Sequence, residues 1–209
     1  ENENKHEKSL ETNQADITKV EDVVKKGGYD PTKPIFHNNT TVDFIAEFGT
    51  PAAQFFAEMG SAVIDMLHTV GKFDTYGYKG FDPTADNPVY GGISIDKTYE
   101  GLTLKAPTRA FFLNPLVVPS SIKSLPGIAA AQYLTMIHEI AHNRVMDHNE
   151  DHTLALHDMY NRFAEFGKDI EFQERFASIY YRHKEIFNTM RAKYERSDTK
   201  NVAKSLDKI

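Results

Sequence analysis

Ala129-Ala130-Ala131-Gln132-Tyr133-Leu134-Thr135-Met136-Ile137-His138-Glu139-Ile140-Ala141-His142 is the stretch from which the rest of the chain can be read. It is rich in strong helix formers, and Tyr133, Ile137, Ile140 and Ala141 recur at a spacing that lays them on one buried stripe. A helix is therefore expected here, with His138 and His142 near its end. Residues at i and i+4 stand about one turn apart on the same face, so both imidazoles can reach a single Zn²⁺ while the Glu139 carboxylate overhangs it.

A catalytic zinc keeps three protein ligands and an open position for water, whose pKa it lowers to about 7. Glu139 is then placed as the general base that takes a proton from that water and passes it to the leaving amine. The third ligand must come from outside the helix. His148 follows His142 by six residues, and six steps of about 100° would carry it away from the metal face if the helix ran on. The polar run Asp147-His148-Asn149-Glu150-Asp151 can stop one helix and cap another, with Asn149 or Asp151 as N-cap. A turn there brings His148 back over the metal.

His138 to His148 shares its histidine and glutamate spacing with the metzincin pattern H-E-x-x-H-x-x-G-x-x-H, with Val145 in place of the glycine. The segment His148 to Leu156 more closely resembles the SprT-like and WLM metalloproteases, in which a third histidine opens a short segment before the next helix. That resemblance implies a zincin-like fold, His138, His142 and His148 as metal ligands, and Glu139 as base. His152 falls where those families carry an aromatic residue. It is open to a packing role, to a supporting role beside the ligands, or to replacing His148; Asp147, Glu150 and Asp151 are further alternatives, since carboxylates also bind zinc.

The composition is that of an ordinary globular chain. Its 209 residues, 40% hydrophobic and 26% charged, suffice for one core and not for two well-built domains. With no cysteine, disulfides, thiol catalysis and Cys-ligated zinc are excluded, so any zinc is held by His and carboxylate. A net charge of −6 argues against a domain-wide nucleic-acid surface, and Arg182-His183-Lys184 is the best basic patch. No run approaches the about 18 apolar residues of a membrane span, and the N-terminus lacks a signal-peptide pattern. An intracellular, cytoplasmic location is expected. Because the chain starts at Glu1 without an initiator Met, it is also expected to belong to a longer polypeptide.

Residues 1–34 read as a polar tail or linker with one weak helix around Ile17, Val20, Val23 and Val24. Residues 35–195 read as the folded domain and 196–209 as a second polar tail. The first core helix is expected from Thr50-Pro51, with Thr50 as cap, and Ala52, Phe55, Phe56, Met59, Ala62, Val63, Met66, Leu67 and Val70 as its apolar face. A long loop over 71–87 precedes three strands near Gly92–Asp96, Leu102–Lys105 and Thr108–Leu113. Arg109 to Leu113 is the candidate edge strand for pairing with substrate. Downstream, one amphipathic helix runs through Leu156, Met159, Tyr160, Phe163 and Phe166 to Gly167, and a longer one through Phe172 to Met190. Tyr160, Tyr180 and Tyr181 are candidate hydroxyl donors to an oxyanion, and His68 and His183 read as structural.

The expected architecture is α+β: a small, mostly antiparallel sheet packed on the metal helix, with further core helices. The expected function is zinc-dependent endopeptidase acting on a protein or peptide substrate. The alternative is a binding or structural module whose zinc only pins helices, or an inactive relative of such a protease.

Overall fold

The structure, a computed structural model, describes residues 30–73, 78, 81–104 and 109–206, with side chains as far as 196. The weak helix expected around Ile17 to Val24 lies outside the described residues. In chain order the elements are β1 (Ile35–Phe36), α1 (Asn39–Phe48), α2 (Thr50–Gly71), β2 (Tyr90–Ile93), β3 (Gly101–Leu104), β4 (Ala110–Leu113), α3 (Leu125–Ala141), α4 (Glu150–Glu165), α5 (Lys168–Arg182) and α6 (Lys184–Leu206). The fold is α+β. No helix among the described residues is long and apolar enough to cross a membrane.

Helix α2 buries all nine apolar residues expected of it. Its start differs in detail: Gly49 occupies the cap at φ 71°, Thr50 is already helical, and Pro51 sits in the first turn. Thr50 makes no side-chain cap, because glycine reaches that left-handed backbone without strain and the chain turns one residue earlier. The helix packs directly on β2. A Cβ at Gly91 would lie 2.7 Å from Leu67 Cδ1, so the missing side chain sets how closely helix and strand approach.

The sheet order is β1-β2-β4-β3, and it corrects two expectations. Two of its pairings, β1 with β2 and β2 with β4, are parallel, and only β3 with β4 is antiparallel. The sheet is therefore mixed rather than mostly antiparallel. Both faces are covered: Ile93, Phe111 and Leu113 join the main core, while Tyr90, Leu102, Leu104, Ala110 and Phe112 form a second cluster with Ile35. Strands covered on both faces read as continuous apolar runs, and Ala110-Phe111-Phe112-Leu113 is such a run. Nor is β4 an edge: it lies between β2 and β3, and among the described residues the edge strands are β1 and β3.

Helix α3 lies against β3 and β4 on one side and against α4 and α5 on the other. Its expected stripe of Tyr133, Ile137, Ile140 and Ala141 is buried. The long C-terminal helix expected through Met190 is two helices, divided at His183, whose backbone leaves the helical region at φ −108° and ψ 20°. The His183 ring reaches back to Glu58, 3.0 Å from Nε2 to Oε1, and thus has a structural role at the break. Beyond residue 195, where a polar tail was expected, α6 continues to Leu206.

Candidate metal centre

Helix α3 begins at Ser124, whose Oγ accepts from the Gly127 N–H at 3.2 Å, and stops as His142 takes the C-cap position. The chain then turns, and the His142 ring helps to hold the turn: its Nδ1 lies 3.0 Å from the Val145 carbonyl oxygen. With an N–H on Nδ1 donated to that carbonyl, the lone pair stands on Nε2, the form in which imidazole binds a metal. Asn149 caps α4, its Oδ1 accepting from the His152 N–H at 3.0 Å, while Asp151 lies in the first turn. Of the two N-caps considered from sequence, the structure uses Asn149.

This turn brings four histidines together. His142 Nε2 and His148 Nε2 each lie 3.0 Å from His138 Nε2. His152 joins them: its ring centroid is 4.2 Å from that of His142 and 4.7 Å from that of His138. Ligand atoms of His138, His142 and His152 lie within 4.8 Å of one another, a group able to hold a metal ion. His148, the third ligand expected from sequence, is not a member of that group, although its Nε2 lies close to that of His138, and neither are Asp147, Glu150 and Asp151.

The arrangement suits a cation better than it suits hydrogen bonding. His138 Nε2 offers one in-plane site, either a proton or a lone pair, yet it faces two other ring nitrogens at 3.0 Å. One ring nitrogen cannot satisfy both. A tetrahedral ion with Zn–N bonds of about 2.0–2.1 Å would hold its nitrogens about 3.3–3.4 Å apart, close to what is seen. Burial, aided by the neighbouring His142, His152 and His148, pushes His138 down to about 4, so it stays neutral and able to bind a metal near pH 7. His152 is 4% exposed, and its Nε2 has no hydrogen-bond partner among the described residues. These residues could hold a metal ion.

Glu139 lies on the β3 side of the helix. Its side chain packs against Gly101, where a Cβ would approach Cγ to 2.5 Å, and its Oε2 accepts from Thr103 Oγ1 at 2.7 Å. Burial pushes its carboxyl up to about 7, against the opposing effect of the Thr103 hydrogen bond. Thr103 was not singled out from sequence. The available signal was its place between Leu102 and Leu104, since strand alternation turns a residue there toward the opposite face from two buried leucines.

Beside His138 and Glu139 lies a cavity of about 570 Å³, walled by Thr98–Gly101 on one side and by Leu134, Leu156, His157 and Tyr160 on the other. Of the three tyrosines considered as oxyanion donors, only Tyr160 lines it. Tyr180 is buried elsewhere, donating to the Pro115 carbonyl at 3.0 Å, and Tyr181 is exposed on α5. His157 was missed from sequence, where nothing marks an exposed histidine on a helix as a cavity wall. The Arg182-His183-Lys184 patch is partly neutralised, since Arg182 and His183 both pair with Glu58.

Comparison of the chain with protein-family models, curated proteins and solved structures found no match.

Proposed function

We propose that the chain is a zinc-dependent endopeptidase, of the kind its H-E-x-x-H segment resembles, with Glu139 as general base and a histidine set drawn from His138, His142, His148 and His152. The observation that carries this reading is the shared wall: His138 and Glu139 face one cavity, and its opposite side begins the edge strand β3. Bound zinc would supply a Lewis acid and lower the pKa of water toward neutrality. Glu139 would receive and return the proton, a task for which a carboxyl with a pKa near 7 is suited.

The edge strand supports an extended substrate. Among the described residues β3 pairs only with β4, which leaves its outer edge for main-chain hydrogen bonds to a peptide. Leu134 and Tyr160, 50% and 41% exposed, give the cavity an apolar wall for a substrate side chain. A protein or peptide substrate fits this geometry better than a small molecule that needs an enclosed pocket.

The test is cleavage of an unfolded protein such as reduced casein by the zinc-loaded chain and by Glu139→Gln. The variant is expected to keep its metal and lose at least about 100-fold in rate. Full activity in Glu139→Gln with zinc bound would sink the mechanism. The second reading, a metal-pinned binding or structural module, is favoured by the convergence of a fourth histidine and would show as tight zinc binding with no cleavage by the wild type.

A further inference from the structure

Hydrolytic chemistry needs three protein ligands, and this site assembles four imidazoles. Every pairing of the rings of His138, His142, His148 and His152 has a centroid separation between 4.2 and 5.1 Å. The two downstream histidines differ in how they are held. His152 lies in the first turn of α4, buried, with its backbone N–H fixed by the Asn149 cap and its ring packed against those of His138 and His142. Its Nε2 is buried and has no hydrogen-bond partner among the described residues. His148 lies in the turn between α3 and α4, exposed to solvent, with its ring stacked on His138 at 24°.

We propose that all four histidines coordinate the resting metal, with His152 as a permanent ligand and His148 as the ligand that gives way to open the site. The proposal rests on the metal centre of the preceding section but not on peptide hydrolysis. Water can solvate His148 when it departs, because it already stands at the surface. Departure of His152 would strand a buried lone pair and disturb the capped turn of α4. The chain thus carries its own occupant for the coordination position that an incoming ligand would need. This reverses the ranking of His148 and His152 that spacing alone suggests.

The experiment uses Co²⁺ as a spectroscopic stand-in for zinc and azide as a probe for an open coordination position. Wild type, His148→Ala, His152→Ala and His152→Gln are loaded with Co²⁺, with folding checked by circular dichroism. Wild type is expected to bind one ion with visible bands that azide leaves unchanged, whereas azide shifts the bands of His148→Ala. Cobalt affinity is expected to fall at least tenfold in both His152 variants and less than that in His148→Ala. If the wild-type bands respond to azide as those of His148→Ala do, or if a folded His152 variant keeps wild-type affinity, the proposal is overturned. Should both His152 variants fail to fold, the azide comparison of wild type with His148→Ala decides alone. An azide-responsive wild type that cleaves casein would overturn this closure and leave the peptidase standing; a closed centre in a chain that cleaves nothing would do the reverse.

Discussion

Thr103 Oγ1 lies 2.7 Å from Glu139 Oε2 and 2.9 Å from the Glu139 carbonyl oxygen, so one hydroxyl on the edge strand meets both side chain and backbone of the residue beside the first histidine. The strand that would bind a substrate in the proposed function thereby also positions the Glu139 carboxylate. It also tunes it, because the bond favours the ionised carboxylate and opposes the effect of burial. Thr103→Val keeps the shape and removes the donor. The acid limb of the pH profile of kcat/KM for peptide cleavage is expected to move up by about one unit or less, with metal content unchanged. An acid limb that stays in place, or moves down, would show that Thr103 does not set the base.

Gly101 faces the same carboxylate. A methyl group there would come within 2.9 Å of both Glu139 Cδ and Oε1, a distance that forces either the strand or the side chain to shift. Gly101→Ala is expected to cost about 1–3 kcal/mol in urea unfolding, the usual range for overpacking. It is also expected to lower cleavage strongly while zinc stoichiometry stays at the wild-type value, because the atoms nearest the added methyl all belong to Glu139 and none to a histidine. Wild-type activity in this variant would show that the carboxylate need not hold its present position.

How far the site was legible from sequence follows from which interactions are local. The i, i+4 pair and the Asn149 cap are written within one or two helical turns, and the structure shows His138, His142 and Asn149 in the places that spacing gives them. His152 was harder to rank. Its approach to His138 depends on the path of the turn between two helices, and no periodicity encodes that path. The sheet failed for a similar reason. Parallel pairing of β2 with β4 is a relation between segments about 20 residues apart in sequence, and an apolar run such as Ala110 to Leu113 announces burial on both faces without naming its neighbours. The break at His183 was hidden because the apolar spacing continues across it; what divides α5 from α6 there is a backbone turn beside a tertiary contact with Glu58.

Stability against pH offers a check on Glu139 that needs no substrate. In the metal-free protein its folded pKa of about 7 lies above its ordinary 4.5, so the folded state holds a proton that the unfolded chain has released. Its contribution to stability therefore falls as pH rises from about 4.5 to about 7, by an order of 2–3 kcal/mol. His138 acts in the opposite sense, since its folded value is pushed down from 6.5 to about 4 and its contribution grows as pH rises across that window. The two partly cancel in the wild type. The difference in unfolding free energy between wild type and Glu139→Gln isolates the carboxyl, and it is expected to move toward the variant's favour as pH rises from 4.5 to 7. A difference that stays flat over this range would place the Glu139 carboxyl at an ordinary pKa.

Asn149 offers the means to separate helix stability from metal affinity. Its Oδ1 caps α4 by accepting the backbone N–H of His152, so loss of the cap loosens the turn that carries a buried imidazole toward the metal. Asn38 does the same for α1, accepting the Thr41 N–H at 2.9 Å, in a helix that contributes nothing to the histidine cluster. Replacement of either asparagine by alanine is expected to cost about 1 kcal/mol in the metal-free chain, the usual worth of an N-cap. Only Asn149→Ala is expected to weaken zinc binding as well, by several-fold in a competition titration against a chromogenic chelator, because only there does the freed N–H belong to a ligand. Equal zinc affinities in the two variants would mean that the first turn of α4 does not position His152 for the ion.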